Sequence, residues 1–181
     1  MGKSTAETRV ETGTKNKMLV MAALFIALGY VATSVLMVPS PTGGYMNLGD
    51  TVVLLGAYLL GPVYGAVAGG FGPALADLLA GYGIYVPATL LIKALMAVAA
   101  ALLYKVLQKR TWALVVCGVV AETIMVVGYF LFDGFLAGNL AAGLAGVPGN
   151  LVQSAFGICA STLLAVALRK SHYVCKEFPH L

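Results

Sequence analysis

Lys93 lies in the run VPATLLIKALMAVAAALL, where no other residue is charged. An ammonium at the middle of a bilayer costs about 2.5–3.5 kcal/mol on insertion scales, so such a residue is kept where it faces the protein interior and has a partner. Asp77 stands in a similar setting, GPALADLLAGY, and Glu122 in VVAETIMVV. Asn47 and Asp50 open the stretch NLGDTVVLLGAYLLGP. A cation, carboxylates and amides in apolar surroundings can hold a small polar molecule by charge and hydrogen bonds. They do not form a catalytic constellation: HExxH, GxSxG and clustered Asp motifs are absent from the sequence, as is the GxxxxGK[ST] phosphate loop. The chain is therefore read as a binding protein and not as an enzyme.

Composition sets the solvent. The chain has 181 residues, 60% hydrophobic and 10% charged, against about 25% charged in soluble domains. So apolar a chain leaves little polar surface for water, and its solvent is mostly lipid. The length suits one helical bundle and no large soluble domain. The net charge of +4 has no basic patch interleaved with aromatics, so no nucleic-acid partner is expected. Cys117, Cys159 and Cys175 form no CxxC pair and are read as free thiols. His172 and His180 lie in the tail, and neither a metal site nor a cofactor is assigned.

The pattern of apolar runs predicts an all-α membrane protein of six helices. Residues 1–15 form a polar tail, 16–169 the membrane domain and 170–181 a basic tail. The spans run over about 17–38, 48–62, 63–80, 86–107, 111–132 and 150–168. The second is short, about 14 residues where about 20 are needed to cross as a helix. Pro73 predicts a kink in the third, and Pro87 suits the first turn of the fourth. With six spans, Lys and Arg outside the membrane all fall on one side: before span one, at Lys105, Lys109 and Arg110, and at Arg169, Lys170 and Lys176. The positive-inside rule makes that side, with both termini, cytoplasmic.

Depth then locates the site. Lys93 lies about 9 Å below the outer end of span four at 1.5 Å per residue. Asp77, Asp50, Asn47 and Asn150 lie near outer ends, and Tyr45, Tyr82 and Tyr85 in outer loops. The inner half is nearly all apolar, which describes a pocket open to the outside and not a channel. Each residue carries two readings. Lys93 and Asp77 contact a ligand or form a structural ion pair with each other. Glu122 accepts from a ligand or from a neighbouring helix. Asn47 and Asp50 cap span two or line the pocket, and Asn150 caps span six or does the same. Tyr85 stacks on a ring or belongs to the interfacial aromatic belt. Ala23 and Ala27 put small residues on one face of span one, permitting close approach of a helix.

Ala23-x-x-x-Ala27, the block NLGDTVVLLGAYLLGPVYGAVAGGFGPALADLLAGY and the following PATLLIK resemble the substrate-binding S component of energy-coupling factor (ECF) vitamin transporters, in the group of hydroxymethylpyrimidine, pyridoxine and riboflavin carriers. The resemblance covers nearly the whole chain. It implies a multi-pass protein of a prokaryotic plasma membrane that binds one vitamin with high affinity. It also implies a transmembrane T component as partner, met by Ala23 and Ala27, and two cytosolic ATPase subunits. The segment GPVYGAVAGGFGPALADLL differs from the aromatic and Lys/Asn-rich segment of better-known riboflavin carriers, which favours a smaller pyridine or pyrimidine vitamin, with riboflavin next. Lys93, Asp77, Glu122, Asn150, Asn47, Asp50 and Tyr85 are the expected ligand-binding residues. The alternative is a self-contained proton-coupled carrier relaying protons through Asp77, Lys93 and Glu122, although the two halves show no inverted repeat. A structural subunit without ligand is a further rival.

Overall fold

A computed structural model describes the backbone of residues 5–178 and 180–181, with side chains from Thr14 onward. Residues 1–4 of the expected N-terminal tail lie outside the described residues. Helix α1 (Thr5–Val35) begins well before the apolar run, so much of the polar tail continues the first span as helix. It stops short of Pro39, and the chain turns through a small ribbon, β1 (Val38–Pro39) and β2 (Tyr45–Met46), paired antiparallel with Val38 opposite Met46. The tight turn uses Gly43 at φ 92°, with the Ser40 amide donating to the Gly44 carbonyl at 2.8 Å. This ribbon replaces the expected irregular loop and carries Tyr45 and Asn47 to one end of the bundle.

Helix α2 (Gly49–Leu79) breaks at the expected boundary between spans two and three. The two are arms of one element, joined at Gly61 with φ 76° and ψ −173°. Only glycine takes that φ without strain, and the following Pro62 has its ring set for a new first turn. A Cβ on Gly65 would stand 3.0 Å from the Cα of Ala57. Residues eight apart in a straight helix lie about 12 Å apart, so the chain folds back at Gly61. Both ends of α2 therefore reach the same end of the bundle. Five stretches among the described residues are long and apolar enough to cross a membrane, α2 with its reversal being one of them.

The other elements are α3 (Val86–Val106), α4 (Thr111–Leu136), a short α5 (Leu140–Gly143) with a 3-10 turn (Leu144–Gly146), α6 (Val147–Arg169) and α7 (His172–Glu177). Pro87 sits in the first turn of α3, as expected. α4 runs four residues beyond the expected Phe132 and so takes Asp133 into the helix. α6 starts three residues before Asn150, which makes Asn150 a helical residue and not a cap.

The apolar core lies between α2, α3 and α4. Met96, Ala97 and Ala100 of α3 and Leu114, Cys117, Ala121 and Met125 of α4 are all fully buried in one core cluster. The alanines let the helices approach closely enough for the larger side chains to interdigitate. The Tyr58 hydroxyl donates to the Leu114 carbonyl at 2.8 Å, which satisfies a polar group that burial would otherwise strand. Leu91, Leu95 and Leu102 of α3, and Val119, Val127 and Leu131 of α4, point outward. Such a girdle suits hydrocarbon and not water. At the end opposite the ribbon, Phe178 and Leu181 of the tail pack against the core, and Lys17 pairs with Glu177. Cys117 is buried, Cys159 and Cys175 are exposed, and all are unpaired.

Candidate ligand-binding site

The elements converge on the ribbon end. Asp50 stands in the first turn of α2 and Lys93 two turns into α3; each is 1% exposed, and they form an ion pair. Gln153 of α6 donates through Nε2 to the second Asp50 oxygen at 2.6 Å. Its Oε1 accepts from the Asn47 backbone amide at 2.7 Å. The Asn47 side chain accepts from the Gly49 amide at 2.8 Å. Three helices and the connecting segment thus share one continuous network. A buried pair persists only when its remaining donors and acceptors are also satisfied, and Gln153 supplies that for Asp50. Asn47 does serve the start of α2, but Asp50 does not cap it. Of the two readings of Lys93 and Asp77, the ion pair between them does not form, because Lys93 pairs with Asp50.

Asp77, near the end of α2, accepts from the Tyr45 hydroxyl. The Tyr85 hydroxyl points at Asp133 Oδ1 (2.9 Å) and the Thr42 carbonyl (3.1 Å). Burial first, then the neighbouring carboxylate, keeps each phenol well above its ordinary pKa range, so both remain donors. Thr89 and Tyr129 share a hydrogen bond of 2.8 Å, and the Lys93 ammonium lies 5.5 Å from the Tyr129 ring centre. Tyr45, Tyr82, Tyr85 and Phe132 form a chain of ring contacts with centroids 4.7, 6.4 and 5.3 Å apart. Tyr85 is buried within this chain, not lying in an outer belt.

Glu122 lies below this floor. It is 1% exposed, and neither carboxylate oxygen has a hydrogen-bond partner. Gly157 makes room for it: a Cβ there would stand 2.8 Å from Glu122 Oε1 and 3.1 Å from Asp50 Cβ. The pocket above is bounded by Tyr45, Asp77, Tyr85, Lys93, Asp133 and Asn150, among others, and its free volume is about 30 Å3. That holds roughly one or two waters, whereas small-molecule pockets run to about 300–1,000 Å3. Tyr45, on the ribbon, and Tyr85, on the α2–α3 turn, are among the residues that line this pocket.

Asp50, Asp77, Lys93, Asn47, Asn150 and Tyr85 are thus gathered at one end, with Glu122 directly beneath. Sequence reasoning placed Gln153 beside Asn150 at the outer end of span six without making it a site residue, and left Thr89, Tyr129 and Asp133 out of the site. Helical spacing carried a signal for three of them. Tyr85, Thr89 and Lys93 recur every four residues, and Glu122, Tyr129 and Asp133 at seven and four, each set on one helix face. Gln153 follows Asn150 by one turn. Ala23 and Ala27 lie elsewhere, exposed on the outer face of α1.

A bundle with an apolar girdle, an apolar core and a polar pocket at the ribbon end has the make-up of a multi-pass membrane protein. Residues 13–170 match the family of the ECF-type riboflavin transporter S component, and the chain belongs to that family. It is 34% identical over 142 residues to an uncharacterized protein from Pyrococcus woesei, covering 77% of this chain and 93% of that one. It is 29% identical over 158 residues to the thiamine precursor transporter HmpT of Lactococcus lactis subsp. cremoris (strain MG1363), covering 86% and 89%. A solved S component of a bacterial ECF transporter superposes with a TM-score of 0.65 at 20% identity, over 86% of this chain and 97% of that one, and so shares the fold. The family is one of transport proteins, and the chain's place in it carries transport and the membrane as its setting.

Proposed function

We propose that this chain is the high-affinity substrate-binding subunit of an ATP-driven importer, taking up a small water-soluble vitamin or precursor. A pyridine or pyrimidine ring of the pyridoxine or hydroxymethylpyrimidine kind is favoured, with riboflavin next. The observation that carries this reading is the polar pocket at one end, built on the Asp50–Lys93–Gln153 network in a chain of this family. The similarity to a thiamine precursor transporter supports the smaller ring. The two arms of α2 count as separate crossings, giving six. Lys105, Lys109, Arg110 and Arg169 then gather at the end away from the pocket, which the positive-inside rule makes cytoplasmic, together with both termini. The exposed Ala23 and Ala27 face is where a transmembrane T component packs, and two cytosolic ATPase subunits supply the energy.

Native mass spectrometry of the purified protein, followed by titration with pyridoxine, hydroxymethylpyrimidine, riboflavin and thiamine, tests the reading. A ligand bound without ATP, and taken up by vesicles only when partner subunits are added, is the expected result. Failure to bind any of the set would overturn it. A second reading, a self-contained proton-coupled carrier, draws support from the unpartnered carboxylate of Glu122. Uptake by the isolated chain driven by a proton gradient alone would decide for it.

A further inference from the structure

A second cavity lies at the end away from the ribbon. Its free volume is about 260 Å3, against about 30 Å3 in the pocket beside Lys93. Helix spacing creates it. α1 and the second arm of α2 run in the same direction and press together at Gly29 and Gly72. A Cβ on Gly72 would stand 2.8 Å from the Ile26 carbonyl oxygen and 3.2 Å from the Gly29 Cα. Towards the starts of both segments the contact gives way, and space opens between Met18 of α1 and Tyr64 of α2. Lys15, Lys17, Glu177 and His180 also line it, so a mostly apolar wall meets a charged rim. Lys17 is the last charged residue before the uncharged run 18–35. That sets the cavity at the level where hydrocarbon gives way to headgroups.

The rim carries an excess of positive charge. Two ammonium groups line it, Lys15 and Lys17, against one carboxylate, Glu177. Lys105 and Lys109 add to the same field. Burial first, then the charges of Lys109 and Lys105, hold the His180 imidazole below its ordinary pKa range, so the ring is neutral in positive surroundings. Glu177 meets Lys17 in a partly exposed pair that water screens, and an incoming anion can take its place. Going beyond the vitamin pocket, we propose that this cavity binds one anionic phospholipid of the adjoining leaflet, with its phosphate at Lys15 and Lys17 and its glycerol and upper acyl carbons against Met18 and Tyr64. With both termini cytoplasmic, that leaflet is the inner one. Basic pockets between helices take anionic headgroups in this way. A free anion would gain the lysines alone and leave the apolar wall bare. A phospholipid uses both, and its chains continue along the exposed Leu19, Val20, Val63 and Val67 of the same two segments.

The test is native mass spectrometry of the full-length protein in detergent micelles, titrated with dioleoyl phosphatidylglycerol and dioleoyl phosphatidylcholine, which share their chains. The protein should retain one phosphatidylglycerol about tenfold more tightly than phosphatidylcholine, the factor that two nearby lysines supply. Equal retention, or tighter phosphatidylcholine, overturns the proposal. This comparison is made on the unaltered protein and stands whatever the variants do. Inorganic phosphate in large excess should leave the lipid bound; its displacement would show that a free anion occupies the site, against the proposal. Lys15→Gln with Lys17→Gln should abolish the preference and leave phosphatidylcholine unchanged. Arg110→Gln with Lys170→Gln removes the same charge away from the cavity and should keep the preference. A preference that falls alike in both double variants would mean that net charge alone attracts the lipid, which overturns the site. Glu177→Gln frees Lys17 for the phosphate and should tighten phosphatidylglycerol about threefold or more. Unchanged or weaker binding would mean that the lipid does not reach Lys17, again against the proposal.

Discussion

Two lysine–carboxylate pairs stand at opposite ends of this molecule. Lys93–Asp50 has both side chains 1% exposed, whereas Lys17–Glu177 has them 37% and 30% exposed. The chemistry is the same and the consequences differ. In the pocket, desolvation is severe, and the pair survives because Gln153 completes it and because α2, α3 and α6 hold its members in place. At the surface, water screens the charges, and the Lys17 ammonium also meets the Glu177 carbonyl (2.8 Å) and the Phe178 ring (5.4 Å). A buried pair is a structural commitment of three helices, and an exposed pair is a local convenience.

The comparison breaks first at Lys93. Lys93→Ala leaves Asp50 buried beside Glu122 with no cation, and should cost about 3–5 kcal/mol of stability, read by denaturant unfolding in detergent. Lys93→Met combined with Asp50→Leu should recover much of that loss; a double variant no more stable than Lys93→Ala would refute this account of the network. Gly157→Ala comes next. It drives a methyl between Glu122 and Asp50 and should cost about 1–3 kcal/mol by overpacking. Unchanged unfolding would show that the two carboxylates can separate freely. Gly61→Ala forces a Cβ onto a positive φ at the reversal and should cost about 1–2 kcal/mol. A stabilised variant would mean that the arms need no glycine to fold back.

The smallest effect belongs to the surface pair. The Lys17 hydrogen bond and charge hold the Glu177 carboxyl below its ordinary range. A carboxyl lowered on folding contributes stability above its unfolded value and loses it as pH falls through the folded one. Lys17→Ala should therefore leave the melting temperature within error at neutral pH and remove only a weak, salt-sensitive slope at acid pH. A loss comparable to that of Lys93→Ala would erase the distinction drawn between the two ends.

Much of the site was legible before the fold, because charge in an apolar run is rare and costly. Lys93, Asp77 and Glu122 announced themselves in this way. Asp133 did not, since it follows the expected end of a span and read as part of a Gly-rich connection. Gln153 did not either, because an amide near a helix start has many ordinary uses. The partner of Lys93 is Asp50 and not Asp77, although sequence reasoning placed both carboxylates near outer ends; which of them faces Lys93 depends on the rotation of the packed helices, which spacing along one segment does not reveal.

By itself the sequence determined the solvent, the helical class, the location of charge along each helix and the end of the bundle where polar groups collect. Those follow from composition and period, which are local properties. The tertiary structure alone decided which carboxylate meets the ammonium, that Gln153 completes the pair, and that Tyr45 and Tyr85 line the pocket with their hydroxyls on Asp77 and Asp133. Each of these depends on the mutual rotation and depth of packed helices, which is settled by close approach at residues such as Gly157 and Gly61 and is not written in the spacing of any single segment.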